Sequence, residues 1–210
     1  TVVAFGAIQG YLIDRAAAEE FNIVSLDDFR RPEVRDAFDI DGNGKADLFA
    51  CPDGWGCNGV IGFHLDEFDL HDFIDERTGP YDESMNEAIA RFEAGEHIFF
   101  YTWTPNWTVS RFRLDEDVVW IEVPNAAYPE DIELASLTVP GVQGCVKDPC
   151  LMGFPANDIN VVANDVFLNA NPAAARLFEV AAIPLSDIAT QNSRMFAGET
   201  TQADVELHAE

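Results

Sequence analysis

The sequence predicts an α/β fold, and three observations carry that reading. Short apolar runs of the kind that form buried strands alternate with helix-periodic stretches of about 10 to 15 residues. Residues that start and stop helices bracket those stretches. No internal repeat and no low-complexity tract suggests a solenoid or a disordered segment instead. Strands separated by helices give a mixed or parallel sheet covered on both faces.

Taken in order, the chain opens on the apolar run "TVVAFGAIQGYLI". Asp14 can cap "RAAAEEF", with Asn22 as its stop. Ser25 with Asp28 makes a capping-box signal for a helix through "LDDFRRPEVRDAF", whose middle Pro32 must disturb. After a glycine-rich segment from Asp39 to Gly59, "FHLDEFDLHDFIDER" reads as an acidic stretch whose charges form a solvated face. The clearest helix runs from Asp82 to Glu93, with Met85, Ile89 and Phe92 on one face and Gly95 as C-terminal cap. "HIFFYTW" and "VVWIEVP" read as buried strands, and Trp120 in the second belongs to the core. A proline- and glycine-rich stretch follows, then a strand at "DINVVAN". Asn171 and Pro172 open the helix "PAAARLFEVA", and "SDIATQNSRMFAG" is a further helix ending at Gly198. A domain boundary is expected where composition shifts, near residues 140 to 155.

The chain has 210 residues, 48% of them apolar, which is ample for a packed core. Its formal charge of −26 argues against nucleic acid or an anionic membrane surface as partner, since both would repel it. No stretch reaches the roughly 20 apolar residues of a membrane span, so direct membrane insertion is not expected. Thr1 opens straight into an apolar run and "TTQADVELHAE" reads as a helix barely begun, so the chain is read as part of a longer polypeptide. The cysteines fall in two close pairs, Cys51 with Cys57 and Cys145 with Cys150. Short-range pairs favour disulfides and an oxidising compartment; zinc needs the two pairs to meet with gaps of about two to four residues, and the gaps here are five and four with acids and glycines between.

Three stretches carry chemistry. In "CPDGWGC", Gly54 and Gly56 let the backbone turn tightly around Trp55 and leave the amides of Gly56 and Cys57 able to meet a ligand. A stapled surface turn whose tryptophan packs on the core fits the same residues. "YTWTPNW" places Trp103 and Trp107 just after an apolar strand, where α/β sheets present their binding loops. Tryptophan faces attract cations, so two of them with a pair of amides suit a zwitterion with a methylated ammonium and a carboxylate. Core or interface packing is the plain alternative. In "DIDGNGKADL", Asp39, Asp41, Asn43, the carbonyl of Lys45 and Asp47 occupy the alternating ligand positions of an EF-hand-like calcium loop. Ala50 stands where the bidentate glutamate belongs, so an Asx-rich turn without metal is the competing reading. His64 and His71 read as surface residues, and no nucleophile, acid–base pair or phosphate loop is visible, so an enzyme is not expected.

Taken together, "QGYLID", "DGNGKADL", "CPDGWGC", "FYTWTPNW", "DVVWIEVP", "NPAAARLFEVAAIPLSDI" and "QNSRMFAGE" resemble, in order and spacing, the periplasmic glycine betaine/proline betaine-binding proteins of ProU-type ABC transporters. The likeness runs over nearly the whole chain. It implies a type II periplasmic-binding-protein fold that closes on its ligand, with one lobe nearly complete and the other partial. Residues 8–144 would form the second lobe, with residues 1–7 and 145–210 supplying crossovers and part of the first. The family holds a quaternary ammonium between tryptophans and a carboxylate on backbone amides beside a disulfide. Residue by residue, Trp55 and Trp103 match two walls of that box, the amides of Gly56 and Cys57 match the carboxylate site, and Cys51 with Cys57 matches the family's disulfide. The third tryptophan and the carboxylate-binding histidine have no counterpart, and none of His64, His71, His97 or His208 takes that place. Cys145 with Cys150 lies outside the family pattern and reads as a local staple.

The resemblance implies capture of glycine betaine, proline betaine or a similar zwitterion outside the cytoplasm, and delivery to an ABC transporter permease. No cofactor is required, with calcium an optional structural ion. Alternatives are an osmolyte-sensing domain of a larger receptor or permease fusion, a calcium-stabilised secreted enzyme, and a fragment that binds nothing alone.

Overall fold

The computed structural model describes residues 1–209, so Glu210, the last residue of the expected partial lobe, lies outside the described residues. Two compact units emerge. The larger comprises residues 9–102 and 112–155, and the smaller residues 1–8, 103–111 and 156 onward. Compared with the expected bounds of 8–144 and of 1–7 with 145–210, Ile8 and residues 103–111 fall in the smaller unit and residues 145–155 in the larger. Hydrogen bonds account for both placements. The amide of Thr104 donates to Ile8 at 2.7 Å, while the amides of Val123 and Met152 donate to Leu151 and Leu137 at 3.1 and 2.9 Å.

The strands are β1 (Val2–Ala7), β2 (Gln9–Asp14), β3 (Ala46–Phe49), β4 (Ile74–Arg77), β5 (Phe99–Trp103), β6 (Val118–Ile121), β7 (Thr138–Val139), β8 (Cys150–Leu151) and β9 (Asn157–Asn160). The larger unit is built on a five-stranded sheet in the order β4-β3-β5-β2-β6. β3 pairs in parallel with β4 and β5, and β2 runs antiparallel to β6 in the register Tyr11 with Ile121 through Asp14 with Val118. β3 and β6 are buried throughout, and β2 and β5 nearly so, which is why they read as continuous apolar runs. Phe29 stacks on Phe99 at 4.4 Å and meets Phe38 edge-on at 5.4 Å, while Trp120 is fully buried in β6, as expected.

Local signals set several helix ends. Asp14 caps α1 (Arg15–Phe21) by accepting from the Ala17 amide at 2.8 Å, and Asn22 closes it in the left-handed conformation. The Ser25 and Asp28 capping box forms, but it opens a short 3₁₀ turn, Leu26–Arg30. The expected single helix is thus split: Arg31 turns extended before α2 (Pro32–Phe38), because a residue preceding proline is driven out of the helical region. α3 (Gly56–Glu67) grows directly out of the disulfide loop, and α4 (Tyr81–Glu93) ends in a Schellman cap at Gly95. The second disulfide, Cys145–Cys150, closes a turn beside β6, where Trp120 exchanges backbone hydrogen bonds with Gly144 and Val146.

The smaller unit pairs β1 with β9 antiparallel and carries α5 (Thr108–Arg111), α6 (Asp165–Ala170), α7 (Pro172–Val180), α8 (Leu185–Phe196) and α9 (Gln202–His208). "DINVVAN" yields strand only over its first residues. β9 ends at Asn160; beyond it Val161 is half-buried and Val162 is 93% exposed, β1 being the one partner strand of β9 among the described residues. Among the described residues, α6 to α9 bury none of their side chains completely, and Phe5, Val166, Leu177 and Leu207 are also largely exposed.

Candidate functional site

The candidate site begins where the buried strand β3 ends. The chain continues through Ala50 and Cys51, both fully buried, turns at Pro52 to Trp55, and enters α3 at Gly56. The Cys51–Cys57 disulfide closes this turn with the Cα atoms 5.9 Å apart. By restricting the unfolded chain, a loop this short contributes about 2 kcal/mol. Trp55 is the N-cap residue in an extended conformation, and neither a side-chain cap nor an acid answers the first turn of α3. Gly56 and Cys57 therefore occupy the first two helical positions, whose amides have no intrahelical acceptor and sit at the positive end of the helix dipole.

Trp55 is 47% exposed, and its ring stacks on Tyr81 at 6.2 Å with 22° between planes. Tyr81 opens α4 just after β4, and its hydroxyl donates to Thr102 Oγ1 at 2.8 Å, so the platform behind the indole is fixed. Beside them lies a cavity of about 410 Å³ lined by Gly56 and Cys57, by Gln9 of β2, by Tyr128 and Glu130, and by Phe154. Gln9 accepts from the Tyr101 hydroxyl at 2.5 Å, and burial pushes the Tyr101 phenol well above its usual range, so it stays a donor.

The structure corrects the reading of His64 as a surface residue. It is fully buried on the inner face of α3, with Tyr11, Phe68 and Phe154 around its ring. Burial lowers its pKa to about 4, against the opposing effect of the nearby backbone of Ala127, its hydrogen-bond partner, and of Gly153. His71 is exposed as expected and bonds Asp66 at 2.8 Å.

Trp55, Gly56 and Cys57 are thus consecutive on one rigid turn. Trp103 ends β5 and belongs to the smaller unit, followed by a cis Thr104–Pro105 peptide. Thr104 anchors that loop, accepting from the Ile8 amide at 2.9 Å through its hydroxyl. Trp107 stacks on Phe196 at 3.6 Å and is nearly buried. Tyr81, Gln9, Tyr128, Glu130 and Phe154 escape the sequence reading. Tyr81 alone carries a usable signal, following Gly79 and Pro80 at a strand end, but with one buried residue β4 is not recognisable as a strand.

In the acidic loop, carboxylate oxygens of Asp39, Asp41 and Asp47 lie within 4.8 Å of one another. Asp39 accepts from the amides of Gly42, Asn43 and Gly44, the last of these contributing most to a pKa below the usual range. Asn43 Oδ1 accepts from the Lys45 amide at 2.9 Å. Asp47 is buried, accepts from the Ile40 amide at 2.6 Å, and has Arg77 Nε 3.8 Å away. Burial is the main reason its pKa is raised.

Comparison with known proteins converges on one group. Residues 1–208 match the family described as the substrate binding domain of ABC-type glycine betaine transport systems. The chain is 38% identical over 209 residues to the glycine betaine/proline betaine-binding periplasmic protein of Salmonella typhimurium, covering 100% of this chain and 61% of that one. It is 39% identical over 207 residues to the glycine betaine-binding periplasmic protein OusX of Dickeya dadantii, covering 99% of this chain and 60% of that one. In fold it is similar to the glycine/betaine/L-proline-binding protein of Borrelia burgdorferi, with a TM-score of 0.65 at 15% identity over 98% of this chain and 63% of the other. It is also similar to lactococcal OpuAC in its closed conformation complexed with glycine betaine, with a TM-score of 0.62 at 13% identity over 99% and 65%. The chain spans about three fifths of the length of these curated relatives.

Proposed function

Because the chain belongs to the family of substrate-binding domains of ABC-type glycine betaine transport systems, we propose that it is part of a periplasmic protein that captures glycine betaine or a related betaine and delivers it to a membrane permease. The family is one of binding modules, not of enzymes. The observation that carries the reading is the start of α3: uncapped by any side chain, free of acids in its first turn, and headed by the half-exposed Trp55. The amides of Gly56 and Cys57 are proposed to hold the ligand carboxylate, aided by the helix dipole. Trp55 offers an aromatic face to the methylated ammonium, which has no N–H in need of an acceptor. Trp103 is proposed as a second aromatic contact.

Tryptophan-fluorescence titration tests this. Exposed cation–π contacts contribute about 0.5 to 1 kcal/mol each, so the 210-residue chain is expected to bind glycine betaine with a Kd that is millimolar or weaker. Choline, lacking the carboxylate, leaves the amides unpaired at a cost of about 1 to 3 kcal/mol, roughly 5- to 150-fold in affinity. Equal affinity for the two ligands would sink the carboxylate assignment.

The Asp39–Asp47 loop is proposed as an optional structural calcium site, because three carboxylates already converge there. Calcium is then expected to raise the melting temperature and a chelator to reverse the rise; identical melting curves would show the loop to be a self-bonded turn.

A further inference from the structure

We propose that His64 is a positioning residue: it bonds Tyr11 through Nδ1 and the Ala127 carbonyl through Nε2, and so holds the loop of residues 124–133 against the cavity beside Gly56 and Cys57. The proposal rests on reading that cavity as the ligand site.

The stretches that line the cavity meet at this imidazole. β2 contributes Gln9 to the lining, and two residues on, the Tyr11 hydroxyl lies 2.8 Å from His64 Nδ1. α3 contributes Gly56 and Cys57, and His64 sits two turns further along the same helix. Phe154 meets the imidazole edge-on at 5.3 Å, and the backbone before it approaches so closely that a Cβ on Gly153 would lie 2.9 Å from His64 Cε1. The loop contributes Tyr128 and Glu130, and the Ala127 carbonyl lies 3.3 Å from His64 Nε2.

That last bond has no companion. Residues 124–132 have neither helical nor strand structure, and among the described residues no other hydrogen bond or ion pair reaches them. A loop without its own ladder keeps one conformation only through what its few anchors supply. A carbonyl can only accept, so Nε2 must carry the proton; Nδ1 is then the acceptor for the Tyr11 hydroxyl. One neutral tautomer satisfies both partners, and the burial that holds His64 uncharged favours it.

The test compares His64→Gln, whose amide reaches the Nε2 position and keeps the donor to Ala127, with His64→Asn, whose amide reaches only the Nδ1 position. Backbone ¹⁵N relaxation should give rigid order parameters of about 0.85 for residues 125–131 in the wild type and in His64→Gln, and values below about 0.6 in His64→Asn. Order in α3 and β2 should match in all three. The Kd for glycine betaine should rise about tenfold in His64→Asn alone, a change of about 1.4 kcal/mol. Equal loop order in the two variants overturns the proposal, as does equal loosening. Should neither variant fold, imidazole ¹⁵N shifts of the wild type still decide, since a proton on Nδ1 refutes the arrangement. If the wild type binds no glycine betaine, the ligand reading fails while the relaxation data still judge His64.

Discussion

Gly56→Pro is expected to weaken glycine betaine binding by about 30-fold, equivalent to about 2 kcal/mol, while leaving choline binding and the melting temperature nearly unchanged. The substitution removes one atom that matters, the amide hydrogen at the first helical position. Proline suits that position because its missing donor would find no intrahelical acceptor anyway and its fixed φ matches the helix. The preceding residue tolerates it too, since Trp55 is already extended at φ −83° and ψ 151°. A Cβ on Gly56 meets nothing within 4 Å, so the added β-carbon brings no clash. Only a ligand carboxylate should notice the loss. Titration of the variant with both osmolytes to molar concentration checks this. A parallel loss for choline would mean that Trp55 had moved, and an unchanged glycine betaine affinity would remove the amide from the site.

Gly153→Ala is expected to cost about 2 to 4 kcal/mol and to lower the melting temperature by something on the order of 10 °C. Gly153 has φ +74°, and an added Cβ would lie 2.5 Å from Val123 Cγ1 as well as against His64. Both neighbours belong to the packed interior: Val123 is 1% exposed and His64 0%. Neither can swing away without disturbing β6 or the imidazole's two hydrogen bonds. Gly54→Ala is the control. Its φ of +84° is as unfavourable, but nothing lies within 4 Å of the added atom, so it should cost only the left-handed strain of about 1 to 2 kcal/mol. Differential scanning calorimetry on the two variants separates clash from strain, and equal melting temperatures would mean that no close contact exists at Gly153.

Signals confined to a few neighbouring residues are legible in the sequence. The Asp14 cap, the Asn22 stop, the Ser25 with Asp28 box and the Gly95 end all act within one turn, and each forms. The strands around Tyr101 and Trp120 are legible because burial on both faces leaves an unbroken apolar run. α3 is not recognisable, since Gly59 and Gly62 weaken helix propensity and its first turn lies inside the disulfide loop. β4 is hidden because an edge strand with one buried residue owes its form to pairing with β3. At the candidate site, Trp55, Gly56 and Cys57 are readable from a seven-residue motif. Tyr81, Gln9, Tyr128 and Glu130 are not, being separated along the chain from the motif they face.

The α/β class, the two disulfide pairs, and a tryptophan beside two amides on a constrained turn can all be read from the residues alone. Those features rest on covalent geometry, caps and runs of like residues, all of which act between near neighbours. The burial of a neutral His64, the stacking of Tyr81 behind Trp55, and an irregular loop that reaches the cavity with, among the described residues, a single hydrogen bond emerge only in the folded chain. These depend on burial, and a side chain's burial is set by distant segments that meet only when the sheet assembles.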